Sequence, residues 1–129
     1  MIVDASAIIE WLLQTPTGIK IEKRIFSPRA PLHAPHLLDV EVAQVLRLYV
    51  RDKTIPAQRG QEALEDLADL SLHRYPHDFL MPRVWELRAT LTAYDAVYVA
   101  LAELLDAPLV TCDSKIASAP GHHAVVEVV

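Results

Sequence analysis

The chain has 129 residues, 52 % apolar and 22 % charged, a size and mix expected to fold as one domain, 1–129, and neither disordered nor collagen-like. Twelve Lys and Arg against seventeen Asp and Glu leave a net charge of −5, which speaks against a general nucleic-acid coat. One cysteine, Cys112, excludes an internal disulfide, and the three glycines, Gly18, Gly60 and Gly121, cannot compose a dinucleotide- or phosphate-binding loop. No signal-peptide pattern or long uncharged apolar run occurs, so a cytoplasmic location is expected.

Met1-Ile2-Val3 predicts a short buried strand ending at Asp4, and Ala5 to Leu13 a helix with Ile8, Ile9, Leu12 and Leu13 on one side. Pro16 and Gly18 break the chain around the start of a second helix, Thr17 to Ser27. Pro28, Pro31 and Pro35 leave room for a short strand only, at Leu32-His33-Ala34. Leu38, Val42, Val45, Leu46 and Tyr49 recur at helical spacing and predict a helix over Leu37 to Arg51. Pro56 restarts a helix to about Leu70, with Leu64 and Leu67 inward and Glu62, Glu65, Asp66 and Asp69 outward. Leu72 to Tyr75 fits a short strand, and Asp78 to Leu91 a helix with Pro82 in its first turn. Ala93 to Leu105 is a nearly all-apolar helix. Pro108 to Cys112 is a strand, followed by a short helix and a β-branched final strand, Ala124 to Val129. Strands alternating with helices predict the α/β class with a parallel sheet.

Four carboxylates stand where carboxylates are costly. Asp4 and Asp113 each follow a strand and precede a helix, so each alone reads as an N-cap. The carboxyl edge of a parallel sheet is also where ligands bind, and the two lie close if their strands are neighbours. Glu41 falls within the apolar stripe of its helix, one turn from Leu37, Leu38 and Val45. It is either a helix-edge residue reaching water or a buried carboxylate that needs a partner. Asp39 points elsewhere. Asp95 interrupts the run Ala93 to Ala102, in which every other residue is apolar or tyrosine. Such a helix is buried nearly all round, and the dipole gain for a first-turn acid, about 0.3–1 kcal/mol, does not offset burial. Unless it caps its helix, Asp95 needs a cation, and a metal ion is less costly than a distant arginine. Oxygen-only ligands suit Mg²⁺ or Mn²⁺ rather than zinc, and such an ion serves phosphodiester chemistry through an activated water.

Met-Ile-Val-Asp-Ala-Ser at the start, Leu-Leu-Asp-Val-Glu-Val around Glu41, Tyr-Asp-Ala-Val-Tyr-Val-Ala-Leu-Ala around Asp95 and Leu-Val-Thr-Cys-Asp at Asp113 together resemble, in order and separation, the PIN-domain family, most closely its VapC toxins. The resemblance extends from the first residue to near the last. It implies a Rossmann-like parallel sheet of about five strands flanked by helices on both faces. It implies Asp4, Glu41, Asp95 and Asp113 as catalytic, metal-binding acids, with Ser6 and Thr111 as supporting hydroxyls. It further implies an Mg²⁺- or Mn²⁺-dependent endoribonuclease silenced by a VapB-type antitoxin, usually itself a dimer, whose products carry 5′-phosphate and 3′-hydroxyl ends. Other roles within the family stay open, as do a PIN-fold binding protein without catalysis and a DNA-directed nuclease with the same acids. A phosphotransfer receiver ranks below these, because Asp4 is followed by Ala5 rather than an acid and the late strand leads to Asp113 rather than a lysine.

Charge is segregated along the chain. Lys20, Lys23, Arg24 and Arg29 against Glu22 leave +3 over a short stretch, and Arg47, Arg51 and Lys53 against Asp52 leave +2. Charge alone reads both as solvated faces; an RNA substrate makes the first its expected guide. His33, His36, His122 and His123 lack the cysteine pattern that would support zinc, and Cys112 beside a carboxylate reads as a small buried hydrophobe. Tyr94 and Tyr98 read as core before base-stacking residues. Trp11 and Trp85 lie in or near apolar faces, where one can anchor a partner.

Overall fold

Short apolar runs form the strands, and caps and prolines set where the helices begin. A computed structural model describes residues 1–26 and 30–129. Among these, β1 (Ile2–Val3), β2 (Leu32–Pro35), β3 (Leu72–Tyr75), β4 (Leu109–Thr111) and β5 (Val126–Val128) form one parallel sheet in the order β3-β2-β1-β4-β5. The register sets Ile2 opposite His33 on β2 and opposite Leu109 on β4. The helices are α1 (Ala5–Leu12), α2 (Pro16–Phe26), α3 (Leu37–Arg51), α4 (Ala57–Asp69), α5 (Met81–Glu86), α6 (Ala93–Leu105) and α7 (Ser114–Ser118).

Successive strand residues point to opposite faces. Ile2 and Val3 are both fully buried, as are Leu109 and Val110, so helices cover both faces of the sheet and the strands are apolar without alternation. Val97, Val99 and Leu101 complete the core from α6, which is buried nearly all round, as its composition predicts.

Three expectations are corrected. Gly18 does not break the chain; it lies inside α2, packed against α1. Leu64 is exposed, and α4 buries Gly60, Ala63 and Leu67 instead, because small residues at i and i+3 let the helix approach α3 closely. The helix expected over Asp78 to Leu91 is a 3₁₀ turn at Asp78–Leu80 followed by the short α5, with Pro82 in its first turn. Beyond Glu86 the Arg88 and Thr90 N–H groups bond three residues back, to Trp85 and Leu87, and the Thr90 hydroxyl donates to the Pro120 carbonyl at 2.9 Å. That tightening ends the α-helix. Ser27 and Pro28 lie outside the described residues.

Arg24 ties α2 to β5 through a bidentate pair with Glu127 at 2.6 and 2.7 Å. The guanidinium holds the Glu127 carboxyl below the usual carboxylate range, against a smaller opposing effect of burial. A carboxyl lowered in the folded state stabilises above its unfolded pKa, and that stability is lost as pH falls through the folded value. Both side chains are about one third exposed, which limits the pair to about 1 kcal/mol after solvent screening. Glu127→Gln is therefore expected to lower Tm by a few degrees at pH 7 and to match wild type at pH 2, read by thermal melts across that range.

Candidate functional site

The chain leaves β1 toward β2 and β3 on one side and later returns to β4 and β5 on the other. β1 and β4 thus end side by side where the strand order reverses, the place at which an open parallel sheet forms a ligand crevice. Asp4 and Asp113 follow these two strands.

Asp4 is 5 % exposed. Its Oδ1 accepts from the Ser6 hydroxyl at 2.7 Å and from the Ala7 N–H at 3.0 Å, and its Oδ2 accepts from the Thr111 hydroxyl. Ser6 Oγ in turn accepts from the Cys112 N–H at 3.0 Å, and Thr111 Oγ1 from the Asp113 N–H at 2.9 Å. One network therefore locks the ends of both strands, with Asp4 at its centre. Burial pushes the Asp4 carboxyl above the usual range; the bonds from Thr111, Ala7 and Ser6 oppose that, and the charge of Asp113 adds to it. Asp113 caps α7, its Oδ1 accepting from the Lys115 N–H at 2.9 Å.

Asp95 sits in the first turn of α6 but is not its cap. Thr92 is, its hydroxyl accepting from the Asp95 N–H at 3.2 Å. Burial and then the charges of Asp113 and Asp4 raise the half-buried Asp95 carboxyl, with Thr92 and Lys115 opposing. Glu41 comes from α3. Tyr98, 2 % exposed on α6, donates to its Oε1 at 2.6 Å. Burial raises the Glu41 carboxyl, Tyr98 pulls it down, and Asp95 and Asp4 push it up again. Burial, the bond to Glu41 and the surrounding acids hold the Tyr98 phenol far above its ordinary value, so it stays a donor. All four acids line a single cleft of about 590 Å³.

A model of the PIN domain matches residues 1–121. The chain belongs to the PIN-domain family. Ribonuclease VapC12 of Mycobacterium tuberculosis is 37 % identical over 129 residues, spanning 100 % of this chain and 98 % of that one. Ribonuclease VapC1 of the same species is 40 % identical over 121 residues, spanning 93 % and 90 %. The crystal structure of VapBC2 from Rickettsia felis bound to a promoter DNA fragment superposes with a TM-score of 0.71 over 98 % of this chain and 96 % of that one, at 14 % identity, a likeness of fold.

The PIN fold thus brings Asp4, Glu41, Asp95 and Asp113 to one cleft, with Ser6 and Thr111 bonded beneath Asp4. It adds residues given no site role from the sequence: Glu10, Gln44 and Tyr49, the last read only as part of the apolar stripe of its helix, also line the cleft. Glu10 was legible as the residue one turn beyond Ser6 on α1; its carboxylate accepts from the Thr15 hydroxyl. The basic residues lie elsewhere. Lys20 and Lys23 are exposed on α2, Arg24 is paired with Glu127, and none of the three lines the cleft; Arg29 lies outside the described residues. His33, His36, His122 and His123 do not gather into a metal site among the described residues. His33 shares a hydrogen bond with the Tyr75 hydroxyl at 2.7 Å, His122 contacts the Ile116 carbonyl, and His123 pairs with Glu103. Cys112 lines the cleft, half-buried, with its thiol raised by burial and by Asp4 and Glu10, which disfavours a nucleophilic thiolate. Tyr98 is core, but Tyr94 is 62 % exposed, and Trp85 lies open beneath Arg88; α6 leaves the core at its first turn, so Tyr94 has nothing to pack beneath.

The donor set fits a hard divalent cation. It is all oxygen, and Glu41 Oε2 and Asp113 Oδ2 are left without protein partners among the described residues. The acids stand apart rather than as a closed cage: among the described residues no three His, Cys, Asp or Glu side chains are close enough to share an ion as they are. Burial first, and then the charge of neighbouring acids, raises the carboxyls of Asp4, Glu41 and Asp95. Tyr98→Phe removes the one donor that opposes this at Glu41. It is expected to raise the Glu41 carboxyl further, to move the acid limb of the pH profile of cleavage to higher pH and to lower activity about 10- to 100-fold.

Proposed function

We propose that the chain is an Mg²⁺- or Mn²⁺-dependent endoribonuclease, the toxin of a toxin–antitoxin pair, restrained by a VapB-type antitoxin and self-associating as a dimer in the cytoplasm. The carrying observation is that four carboxylates from four separate segments of the chain line one cleft at the carboxyl edge of the sheet. The names of its relatives, ribonucleases VapC, support RNA as substrate, and toxin–antitoxin structures of like fold support the antitoxin. No helix is long and apolar enough to cross a membrane among the described residues.

When bound by Asp4, Glu41, Asp95 and Asp113, the cation supplies an activated water and charge neutralisation at the scissile phosphate. The chain's own residues provide rigidity. Ser6, Thr111 and the Ala7 N–H fix both oxygens of Asp4, and Tyr98 fixes Glu41, so little reorganisation is left to the moment of reaction. None of the six histidines lines the cleft, so no imidazole serves as proton donor there among the described residues.

Cleavage of total cellular RNA by antitoxin-free protein, with Mg²⁺, Mn²⁺ or EDTA, tests this reading. Discrete fragments with 5′-phosphate and 3′-hydroxyl ends are expected with metal only. Intact RNA under every metal, from folded protein, overturns it and makes DNA the next substrate to try.

A further inference from the structure

The cleft poses a binding problem for a polyanion. Its floor holds the four acids and Glu10, and among the described residues no Lys or Arg lines it. Lys115 is near enough to lower Asp95 but does not line the cleft. Phosphate contacts, which supply most nucleic-acid affinity, are therefore scarce here. What the walls offer is apolar and aromatic surface. Val40 on α3 and Tyr94 on α6 both line the cleft, and both are well over half exposed. Tyr94 immediately precedes Asp95, so the same helical turn carries the ring and the acid.

An exposed ring beside a phosphodiester site has a specific use. Every base presents a π-face, and stacking on it requires no charge. Bases inside a duplex already have both faces covered, whereas single strands and loops splay theirs out for aromatic side chains. We propose that Tyr94 is the stacking platform for an unpaired nucleobase flanking the scissile phosphate; the proposal rests on the ribonuclease reading above. Val40 on α3 adds exposed apolar surface to the same cleft, and a cation held by the four acids would meet the charge of the scissile phosphate.

The test is steady-state cleavage of a short unstructured oligoribonucleotide that contains a mapped site. Wild type, Tyr94→Ala, Tyr94→Trp and Trp85→Ala are compared on the intact oligonucleotide and on versions abasic at each flanking position in turn. Stacking on one aromatic predicts that Tyr94→Ala raises KM about tenfold with kcat nearly unchanged. Tyr94→Trp retains the wild-type KM. Trp85→Ala, which removes a similarly exposed ring outside the cleft, moves neither constant. On the abasic substrate, wild type and Tyr94→Ala have equal KM. Thermal melts of all three variants stay close to wild type, since each ring is exposed. An unchanged KM in Tyr94→Ala, or a KM defect that persists in full on every abasic substrate, overturns the proposal and leaves the ribonuclease reading intact. Weaker antitoxin binding with unchanged RNA kinetics also overturns it and assigns the surface to a protein partner. No cleavage by wild type under any metal overturns both.

Discussion

Asp95→Asn is expected to lower cleavage by at least about a thousandfold and yet to melt at a higher temperature than wild type in EDTA at pH 7. The substitution keeps shape and removes one charge. Helix α6 keeps its start, because the cap is Thr92 and not Asp95. What disappears is a carboxylate that burial, Asp113 and Asp4 all disfavour in its ionised form. A carboxyl raised in the folded state contributes stability that is fully present below its unfolded pKa and lost as pH rises through the folded value. Wild type therefore bears the cost of its raised acids at pH 7, and Asparagine removes one share of it. Below the unfolded pKa that advantage disappears, so the two melting curves are expected to converge in acid. Mn²⁺ is expected to invert the order at pH 7, raising the Tm of wild type by mass action and that of the variant far less. A variant that cleaves normally, or that gains as much from Mn²⁺ as wild type, removes Asp95 from the site.

The same residue shows why the site was legible in the sequence. A lone acid in the otherwise uncharged run Ala93 to Ala102 has no surface to serve, and a glutamate within an apolar stripe is equally misplaced. Both signals are local, and both residues reach the cleft. Asp4 and Asp113 were legible as twins at strand ends, with capping offered as the competing use. The two positions coincide: the Asp4 oxygen that caps α1 belongs to a carboxylate that Ser6 and Thr111 hold at the cleft. What stayed hidden depends on distant partners. Tyr98 lies 57 residues from Glu41, and nothing in either segment announces the bond between them. Arg24 looked like part of a free basic patch because charge along a sequence is not charge in space; 103 residues later Glu127 claims it. Leu64 and Tyr94 reveal a similar limit. Periodicity tells which residues share a face, but not how far a neighbouring element extends over that face.

Gly18→Ala is expected to cost about 3 kcal/mol and to lower Tm by about 10 °C, although helix propensity alone predicts a gain. Read locally, glycine near Pro16 is a breaker, and alanine in a helix is better by about 1 kcal/mol. The position is instead where α2 meets α1 backbone to backbone. A Cβ on Gly18 would stand 1.9 Å from the carbonyl oxygen of Glu10 and 2.5 Å from its carbonyl carbon. Neither atom can rotate aside, so the helices must separate by more than 1 Å-scale adjustments of side chains can absorb, and the steric cost exceeds the propensity gain. The damage should reach the cleft as well. Thr15, whose hydroxyl oxygen accepts from the Gly18 N–H at 2.9 Å, also donates to the Glu10 carboxylate that lines it, and α1 carries Ser6 toward Asp4. Gly60→Ala supplies the comparison. There a Cβ meets only side chains, the nearest being a Val50 methyl at 3.0 Å, so a shift of a few tenths of an ångström suffices, the propensity gain offsets part of its cost, and stability is expected to stay within about 1 kcal/mol of wild type. Thermal melts of the two variants decide the matter: equal, small shifts would mean that α1 and α2 are not in backbone contact at Gly18, whereas a large loss confined to Gly18→Ala identifies the close approach that a single missing side chain permits.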